Sequence, residues 1–422
     1  MIEIKNKNKC CGCAACVNAC PKQCISMKED EEGFVYPTVV LSSCINCGLC
    51  EKVCPILHPY KTRRPLNIYA AKAIDEGIRM SSSSGGMFMI LARKVISENG
   101  IVFGARFNEN FEVYHDYTET LEGLRYFQGS KYVQSSIGDS YKKAEFFLKK
   151  GRFVFFTGTP CQISGLKHYL RKEYDNLLTA DIICHGVPSP KVWRNYLDEL
   201  KEEARKGKNS VSSPLIPIIP ESFVLEDGKP IIEHISFRDK STGWKKFSFA
   251  LTLAKATAAG KKNTVSLSSI HLDNSFMKGF LENYYIRPSC YHCPARMGKS
   301  LSDYTFADFW KLGKYFLDDD MGMSLLIINT PKGKKFFPYE DVKYKETNFD
   351  VLLDSNPSYF NSHLTPYKRK QFWKLYELNH HLQEVLEELT PSVIDIIPIK
   401  FLDIYRRLLL RFNLYKVKKN EK

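Results

Sequence analysis

The stretch CCGCAACVNACP spans residues 10–21, and CINCGLCEKVCP at residues 44–55 repeats its cysteine spacing. In this pattern three cysteines, each separated by two residues, wrap one iron-sulfur cubane, and a fourth reaches a second cubane. The spacing therefore predicts two 4Fe-4S clusters that exchange their fourth ligands. The predicted ligand sets are Cys10, Cys13, Cys16 and Cys54 for one cluster, and Cys44, Cys47, Cys50 and Cys20 for the other.

The doubled spacing is that of a bacterial two-cluster ferredoxin, so residues 1–60 are predicted to form a ferredoxin-like domain. A zinc site would not need eight cysteines interleaved in this way. Cys11 and Cys24 fall outside the pattern, and we expect them to be small buried apolar residues beside the clusters. Residues 25–40 predict two short strands around a turn.

Length and composition limit the remaining choices. A chain of 422 residues predicts two or three domains. The N-terminus MIEIKNKNK lacks an apolar signal region, and no apolar stretch is long enough to span a membrane, so we expect a cytoplasmic protein. In that compartment fourteen cysteines favour metal ligation over disulfides.

The net charge gives a weaker indication of partners. Its formal value of +14 falls to about +8 if three oxidised cubanes contribute roughly −2 each. A basic surface can attract nucleic acid, an acidic redox protein or an anionic membrane. Nucleic-acid binding is supported by the charge alone, and we do not predict it.

Four more cysteines remain, the number that one cubane needs: Cys161, Cys184, Cys290 and Cys293. Residues 152–157, 161–171 and 178–183 predict a strand, a helix and a parallel strand. Because a right-handed crossover places both strand ends at one sheet edge, Cys161 and Cys184 are expected to meet. Cys290 and Cys293 form a C-x2-C pair that could close a third cluster, although zinc or a redox dithiol would also fit.

A phosphate-binding loop is one interpretation of the sequence SSSSGG at residues 81–86. It follows a predicted strand in NIYAAKAID and precedes an amphipathic helix that ends at Asn99-Gly100. A helix N-terminus with small residues suits a pyrophosphate, but ordinary helix capping explains the serines equally well. Lys131 in QGSKYVQS, residues 128–135, could meet an anion, although a solvated lysine is commoner.

Together these motifs, with FTGTPCQISGL, CHGVPSP, RPSCYHCPAR and SDYTFADFW, resemble the family of coenzyme F-420 hydrogenase/dehydrogenase beta subunits over roughly residues 1–340. The resemblance implies an iron-sulfur flavoprotein that binds FAD and passes electrons between clusters and a hydride carrier. It implies ligation of a third 4Fe-4S cluster by the four later cysteines. It implies FAD contacts at Ser82, Ser83, Ser84, Gly85, Gly86, Lys131, Thr157, Gly158 and Thr159.

Two departures from the family pattern bear on the hydride carrier. Ala307 stands where the family often has glycine, and Met323 stands where a small polar residue is common. We expect both to alter the donor's pocket, which leaves F-420 and a nicotinamide open as carriers. No side chain stands out as a general acid or base, and His185 is expected to be a structural loop residue.

The predicted fold is a multidomain α+β and α/β chain. It comprises a ferredoxin-like domain (1–60), an α/β flavin-binding domain (61–334) and a helical basic C-terminal region (335–422). The basic amphipathic stretch from residue 400 could touch a membrane, although docking on its own domain is favoured.

The predicted function is a flavin-dependent oxidoreductase, in one family context part of a surface-polysaccharide pathway. The alternative is a non-catalytic electron-transfer protein that links a partner enzyme to ferredoxin or another redox protein.

Overall fold

The computed structural model describes residues 1–206, 231–256, 262–311 and 315–389. The chain divides into two compact units, Met1–Arg369 and Lys370–Lys422. The basic stretch from residue 400 lies outside the described residues. Among the described residues, no helix is both long and apolar enough to cross a membrane.

Short helices and strands alternate along most of the first unit. The strands are β1 (Ile25–Glu29), β2 (Val35–Val39), β3 (Asn67–Ala73), β4 (Ile101–Phe107), β5 (Val113–Thr118), β6 (Val154–Thr157), β7 (Leu177–Ile182), β8 (Ile231–Asp239), β9 (Ser248–Ala256), β10 (Lys262–Ile270), β11 (Tyr304–Asp308), β12 (Ser324–Ile328) and β13 (Val342–Thr347). The helices are α1 (Ala15–Ala19), α2 (Leu49–Lys52), α3 (Glu76–Ser81), α4 (Met87–Ser97), α5 (Ser140–Lys149), α6 (Pro160–Leu170), α7 (Pro190–Lys206), α8 (Ser275–Leu281), α9 (Pro331–Phe336), α10 (Phe349–Ser355), α11 (Arg369–Asn379) and α12 (Leu382–Glu388).

The N-terminal part has the form that the doubled cysteine run predicts. The strands β1 and β2 pair in antiparallel fashion between the two runs, with Ile25 opposite Val39. Each run forms a loop followed by a short helix, α1 or α2. Gly12 and Gly48 both have positive φ, near 70°, where a side chain would be strained.

An eight-stranded sheet forms the centre of the first unit, in the order β13-β3-β12-β11-β7-β6-β4-β5. Its middle strands β4, β6, β7 and β11 run parallel, and the strands outside them pair in antiparallel fashion. The parallel strands are largely buried and rich in Val, Ile, Leu and Phe, as expected when both faces of a sheet are covered.

The strand-helix-strand unit predicted around Cys161 is confirmed as β6, α6 and β7. The helix begins with Pro160 directly after the N-cap residue Thr159. Gln162 Oε1 accepts a hydrogen bond from the Thr159 amide at 2.9 Å, which closes a capping box. Since β6 and β7 pair in parallel, their carboxyl ends lie side by side.

Other elements depart from the sequence prediction. The predicted strand and helix around SSSSGG are confirmed as β3 and α4, but a further short helix, α3, already includes Ser81. The predicted helical region from residue 335 contains a strand, β13, which pairs with β3 and extends the large sheet. A separate three-stranded sheet, β10-β9-β8, was not predicted.

The ferredoxin-like part shares a hydrophobic core with the large sheet. Its Cys13, Ala15 and Val53 side chains pack in one buried cluster with Ile163 and Leu166 of α6. The two parts therefore fold against each other through apolar contacts, and the first cysteine loop lies on α6.

The second unit is described to residue 389. In it, Phe372 stacks on Tyr376 with ring centroids 5.4 Å apart, one turn along α11. His380 follows α11, and His381 caps α12, so this histidine pair lies between two helices.

Candidate functional site

The twelve predicted cluster cysteines line three separate cavities. The first ferredoxin cavity is lined by Cys10, Cys13, Cys16 and Cys54. The second ferredoxin cavity is lined by Cys20, Cys44, Cys47 and Cys50. The third cysteine cavity is lined by Cys161, Cys184, Cys290 and Cys293. Each predicted set is thus brought together, including the exchange of the fourth cysteine between the two runs.

Local structure explains how the third set converges. Cys161 lies in the first turn of α6, just beyond β6, and Cys184 lies two residues beyond β7. Cys290 lies in a 3-10 turn, Pro288–His292, and Cys293 caps that turn. The parallel strands supply one half of the set and the turn supplies the other.

The burial of the thiols in these sets is typical of cluster ligands and not of free thiols that face water. Burial raises the pKa of Cys16 and of Cys290 to about 12, so neither thiol ionises readily alone. Cluster irons bind thiolates, and ligation therefore displaces the protons that burial retains. In the described part of the chain, no three His, Cys, Asp or Glu side chains converge closely enough for a single metal ion. The four cysteines of each set line one cavity instead.

The two extra cysteines lie beside the cavities. Cys24 lines the second ferredoxin cavity, with its Sγ 3.4 Å from Cys20 Sγ. Cys11 lines both the first ferredoxin cavity and the third cysteine cavity. Both side chains are buried, in agreement with the sequence prediction.

A large cavity of about 660 Å³ opens beside the third cysteine cavity. Its size lies in the range of sites that bind whole cofactors. Of the residues predicted to contact FAD, those that line it are Ser82, Ser83, Ser84, Gly86, Lys131, Thr157, Gly158 and Thr159. Cys184 lines both this cavity and the third cysteine cavity.

Gly85 is the predicted contact that does not line the large cavity. Its amide donates to Ser324 Oγ at 2.9 Å, and its carbonyl accepts from the Ala73 amide at 2.7 Å. A Cβ atom at this position would lie 2.5 Å from the Ala71 carbonyl oxygen. Gly85 thus lets the serine loop pack against β3, which is a structural role.

The serine hydroxyls hold the loop in place. Ser82 Oγ donates to the Ile78 carbonyl at 2.7 Å, and Ser84 Oγ donates to the Met323 carbonyl at 2.8 Å. Ser83 Oγ accepts from the Ser130 amide at 2.7 Å, which ties this loop to the one that carries Lys131. These hydrogen bonds fix the serine loop as part of the cavity wall.

Lys131 is a half-buried cation on the wall of the large cavity. Its Nζ donates to the carbonyl oxygens of Gln128, at 2.9 Å, and Gly129, at 3.2 Å. Burial, followed by the nearby Arg106 guanidinium, lowers the pKa of Lys131 to about 7. An anion in the cavity would favour the charged form, so this position suits a phosphate.

Several wall residues escaped the sequence prediction. Arg238 on β8 pairs with Asp308 at the end of β11, with Nη1 2.9 Å from Oδ2 and Nη2 3.3 Å from Oδ1. Trp310 stacks on Trp244 with ring centroids 4.7 Å apart. Asp308 and Trp310 belong to the ADFW motif, but their partners lie on distant strands and loops that no local pattern indicates.

A buried histidine supports the floor of the large cavity. His115 Nε2 lies 3.0 Å from the Thr157 carbonyl, and its Nδ1 lies 2.9 Å from Ser135 Oγ. Burial lowers the pKa of His115 to about 4, so the ring is neutral at pH 7. His185 also lines this cavity, packed against His363 at 3.9 Å between ring centroids, and burial lowers its pKa to about 4 as well.

The two departures from the family pattern have different surroundings. Ala307 lines the large cavity, and its expected effect on the donor's pocket stays a prediction. Met323 is 1% exposed and packs in the apolar core with Phe309 and Leu325. The expectation that the Met323 side chain alters the donor's pocket is therefore wrong, because that side chain points into the core.

Comparisons with known proteins found a match for the ferredoxin-like part of the chain and another for the region that follows. Residues 9–56 match the 4Fe-4S dicluster domain. Residues 151–348 match the family described as the C terminus of the beta subunit of coenzyme F420 hydrogenase/dehydrogenase. The resemblance predicted from the motifs is confirmed by these two matches.

Individual relatives cover parts of the chain. The F subunit of the F(420)H(2) dehydrogenase of Methanosarcina mazei is 23% identical over 230 residues, which are 49% of this chain and 64% of that protein. The ferredoxin 7Fe of Hydrogenibacillus schlegelii is 46% identical over 43 residues, 10% of this chain and 49% of that ferredoxin. The chain thus spans less than two thirds of these relatives.

A solved structure of the F420-reducing [NiFe] hydrogenase complex from Methanosarcina barkeri gives a TM-score of 0.43 with 14% identity. That match covers 75% of this chain and 94% of the matched one.

Proposed function

We propose that this chain, which joins a 4Fe-4S dicluster domain to the C-terminal region shared by coenzyme F-420 hydrogenase/dehydrogenase beta subunits, is an iron-sulfur flavoprotein oxidoreductase. It passes electrons between 4Fe-4S clusters and an FAD that exchanges hydride with a carrier or substrate. The observation that supports this most is the shared wall: Cys184 lines both the third cysteine cavity and the large cavity.

The cavities lie in series within the first unit. The large cavity adjoins the third cysteine cavity through Ile182, Ile183 and Cys184. The third cysteine cavity adjoins the first ferredoxin cavity through Cys11. Electrons would then pass from the large cavity through the third and first cluster sites to the second. Cys47 is exposed, so the second site is the outer end of this series.

The residues of the large cavity have separable tasks in this proposal. Bound FAD would supply hydride exchange with a two-electron donor and single-electron exchange with a cluster. Lys131 would hold a phosphate, and the backbone of Ser82, Ser83 and Ser84 would approach the pyrophosphate. Thr157, Gly158 and Thr159 would form the part of the cavity wall that lies near Cys161. Trp310, held by stacking on Trp244, would contribute an aromatic surface to the cavity wall.

Cofactor counting tests the proposal. Anaerobically reconstituted protein is expected to hold about twelve irons and one FAD per chain. The double variant Cys290→Ser, Cys293→Ser is expected to lose about four irons, whereas the control Cys24→Ser keeps about twelve irons. Reconstituted wild-type protein that holds only about eight irons and no flavin would contradict the proposal.

A second candidate is a non-catalytic electron-transfer protein that links a partner enzyme to ferredoxin. It is favoured by three exposed apolar side chains near the second ferredoxin cavity: Val40, Leu41 and Ile45. Such a patch beside a cluster suits a protein partner. Bleaching of the flavin by reduced F-420 or NADH supports the oxidoreductase. Reduction by ferredoxin alone supports the linking role. The same assay also tests whether substrates of surface-polysaccharide pathways oxidise the reduced flavin.

A further inference from the structure

Arg287 connects the first ferredoxin loop to the loop of the third cysteine cavity. The residue is 0% exposed and lies just before the turn that carries Cys290. Its Nε donates to the Cys10 carbonyl at 2.8 Å, and its Nη2 donates to the Val35 carbonyl at 2.9 Å. Its own carbonyl accepts from the Cys290 amide at 2.8 Å. One residue therefore binds both cysteine loops.

The guanidinium has aromatic and neutral surroundings. It lies over the Tyr36 ring at 4.4 Å and over the Phe34 ring at 5.4 Å. Its Nη1 donates to Gln134 Oε1 at 2.9 Å, and none of the ion pairs found among the described residues includes it. A buried cation without a carboxylate is costly unless another anion lies close. The nearest sulfur is Cys10 Sγ, 3.7 Å from Nη2.

The contact around Arg287 is close-packed. A Cβ atom on Gly12 would lie 2.8 Å from Arg287 Nη1 and 2.8 Å from Gln134 Nε2. Gln134 Nε2 donates to the Cys11 carbonyl at 3.1 Å, so the carbonyls of Cys10 and Cys11 are both held. Cys11 itself lines both the first ferredoxin cavity and the third cysteine cavity.

We propose that Arg287 is a positioning residue that fixes the first ferredoxin cluster against the third cluster and supplies the positive charge that favours reduction of the first. This rests on the proposed function. In each transfer one electron leaves one cluster and enters the next, and no bond forms or breaks. The added negative charge lies beside a buried guanidinium, which stabilises it, and Cys11 provides the connecting path between the two cavities.

The test is a redox titration of the loaded, full-length protein by electron paramagnetic resonance. In Arg287→Gln, the reduction equilibrium of one cluster is expected to fall at least about tenfold, equal to about 59 mV for a one-electron couple. In Arg287→Lys, which keeps the charge but loses the fork, the potential is expected to stay near that of the wild type. The magnetic coupling between the two clusters is expected to weaken in both variants.

Arg369→Gln is the matched control. Arg369 also holds the ferredoxin-like part, but through a carboxylate, with its Nη1 donating to Glu32 Oε1 at 2.7 Å. Its loss is expected to leave the cluster potentials in place. If Arg287→Gln retains its irons and flavin and its potentials match the wild type, the proposal is overturned while the proposed function stands. If Arg287→Gln does not take up its clusters, Arg287→Lys decides: magnetic coupling between its two clusters equal to that of the wild type overturns the proposal. Wild-type protein without flavin or a third cluster overturns the proposed function itself.

Discussion

Substitution Asp308→Asn tests whether the Arg238–Asp308 pair holds the large cavity together. Arg238 is buried, and the Asp308 side chain is 19% exposed. The guanidinium joins two loops to the end of β11, since it also reaches the Ser83 carbonyl and the Tyr132 hydroxyl, each at 3.3 Å. The substitution keeps the shape of the side chain and leaves a buried cation without its carboxylate.

The expected cost follows from these contacts. Breaking a buried ion pair by removing one partner costs about 3–5 kcal/mol. Two neutral acceptors remain for Arg238, and Asp308 is partly solvated, so we expect a smaller cost, about 2–3 kcal/mol of unfolding free energy. Arg238→Met should cost less, about 1–2 kcal/mol, because water can reach the Asp308 carboxylate. The double variant should recover at least about 1 kcal/mol of the summed cost.

The assay is urea unfolding of the cofactor-loaded protein without oxygen, followed by circular dichroism, together with FAD release by ultrafiltration. Glu98→Gln is the control, because the Lys94–Glu98 pair at 2.8 Å lies on the surface of α4 and should contribute less than about 0.5 kcal/mol. A cost under about 1 kcal/mol for Asp308→Asn, or costs that add within about 0.5 kcal/mol in the double variant, would refute this account.

Three further substitutions probe the interface, the cavity floor and the anion position. Gly165→Ala should lower the free energy of unfolding by up to about 2 kcal/mol, because the added Cβ would lie 2.9 Å from Cys13 Cβ. The control Gly77→Ala should not, because its Cβ would meet only a flexible cap side chain. Equal unfolding midpoints for the two variants would contradict this. His115 has a folded pKa of about 4 against 6.5 unfolded, so the unfolded chain binds more protons between these values, and stability present above pH 6.5 falls by about 3 kcal/mol as the pH drops to 4. His115→Gln should remove that slope in unfolding measured from pH 7 to 4, and an unchanged slope would show that another group causes it. Lys131→Gln should weaken FAD binding about 10- to 100-fold, measured by fluorescence titration, because it loses a charged hydrogen bond. The control Lys142→Gln, at an exposed lysine, should leave the affinity unchanged. Equal affinities for the two variants would show that Lys131 does not bind FAD.

Local spacing explains what the sequence could predict. Each cysteine run specifies its own loop, and the interleaved sets follow from the loop geometry. The meeting of Cys161 and Cys184 was predictable because β6, α6 and β7 are consecutive and the handedness of the crossover is fixed.

Long-range pairing explains what the sequence could not predict. The strand β3 pairs with β12 and β13, more than 250 residues away along the chain, and no local pattern specifies such partners. The same separation hid the Arg238–Asp308 pair, 70 residues apart. The family resemblance implied an FAD contact for Gly85, whereas its missing side chain allows the loop to approach Ala71.

Shared loops at the edge of the large sheet connect the large cavity with the third cysteine cavity in the first unit. The end of β6 and the N-cap of α6 supply Thr157 and Thr159 to the large cavity, and the first turn of α6 supplies Cys161 to the third cysteine cavity. The loop after β7 supplies Cys184 to both. Because the same backbone forms both walls, we expect a ligand that orders one cavity to order the other as well. We therefore expect loss of the third cluster to weaken flavin binding more than loss of either ferredoxin cluster, since those lie on loops that the large cavity does not share.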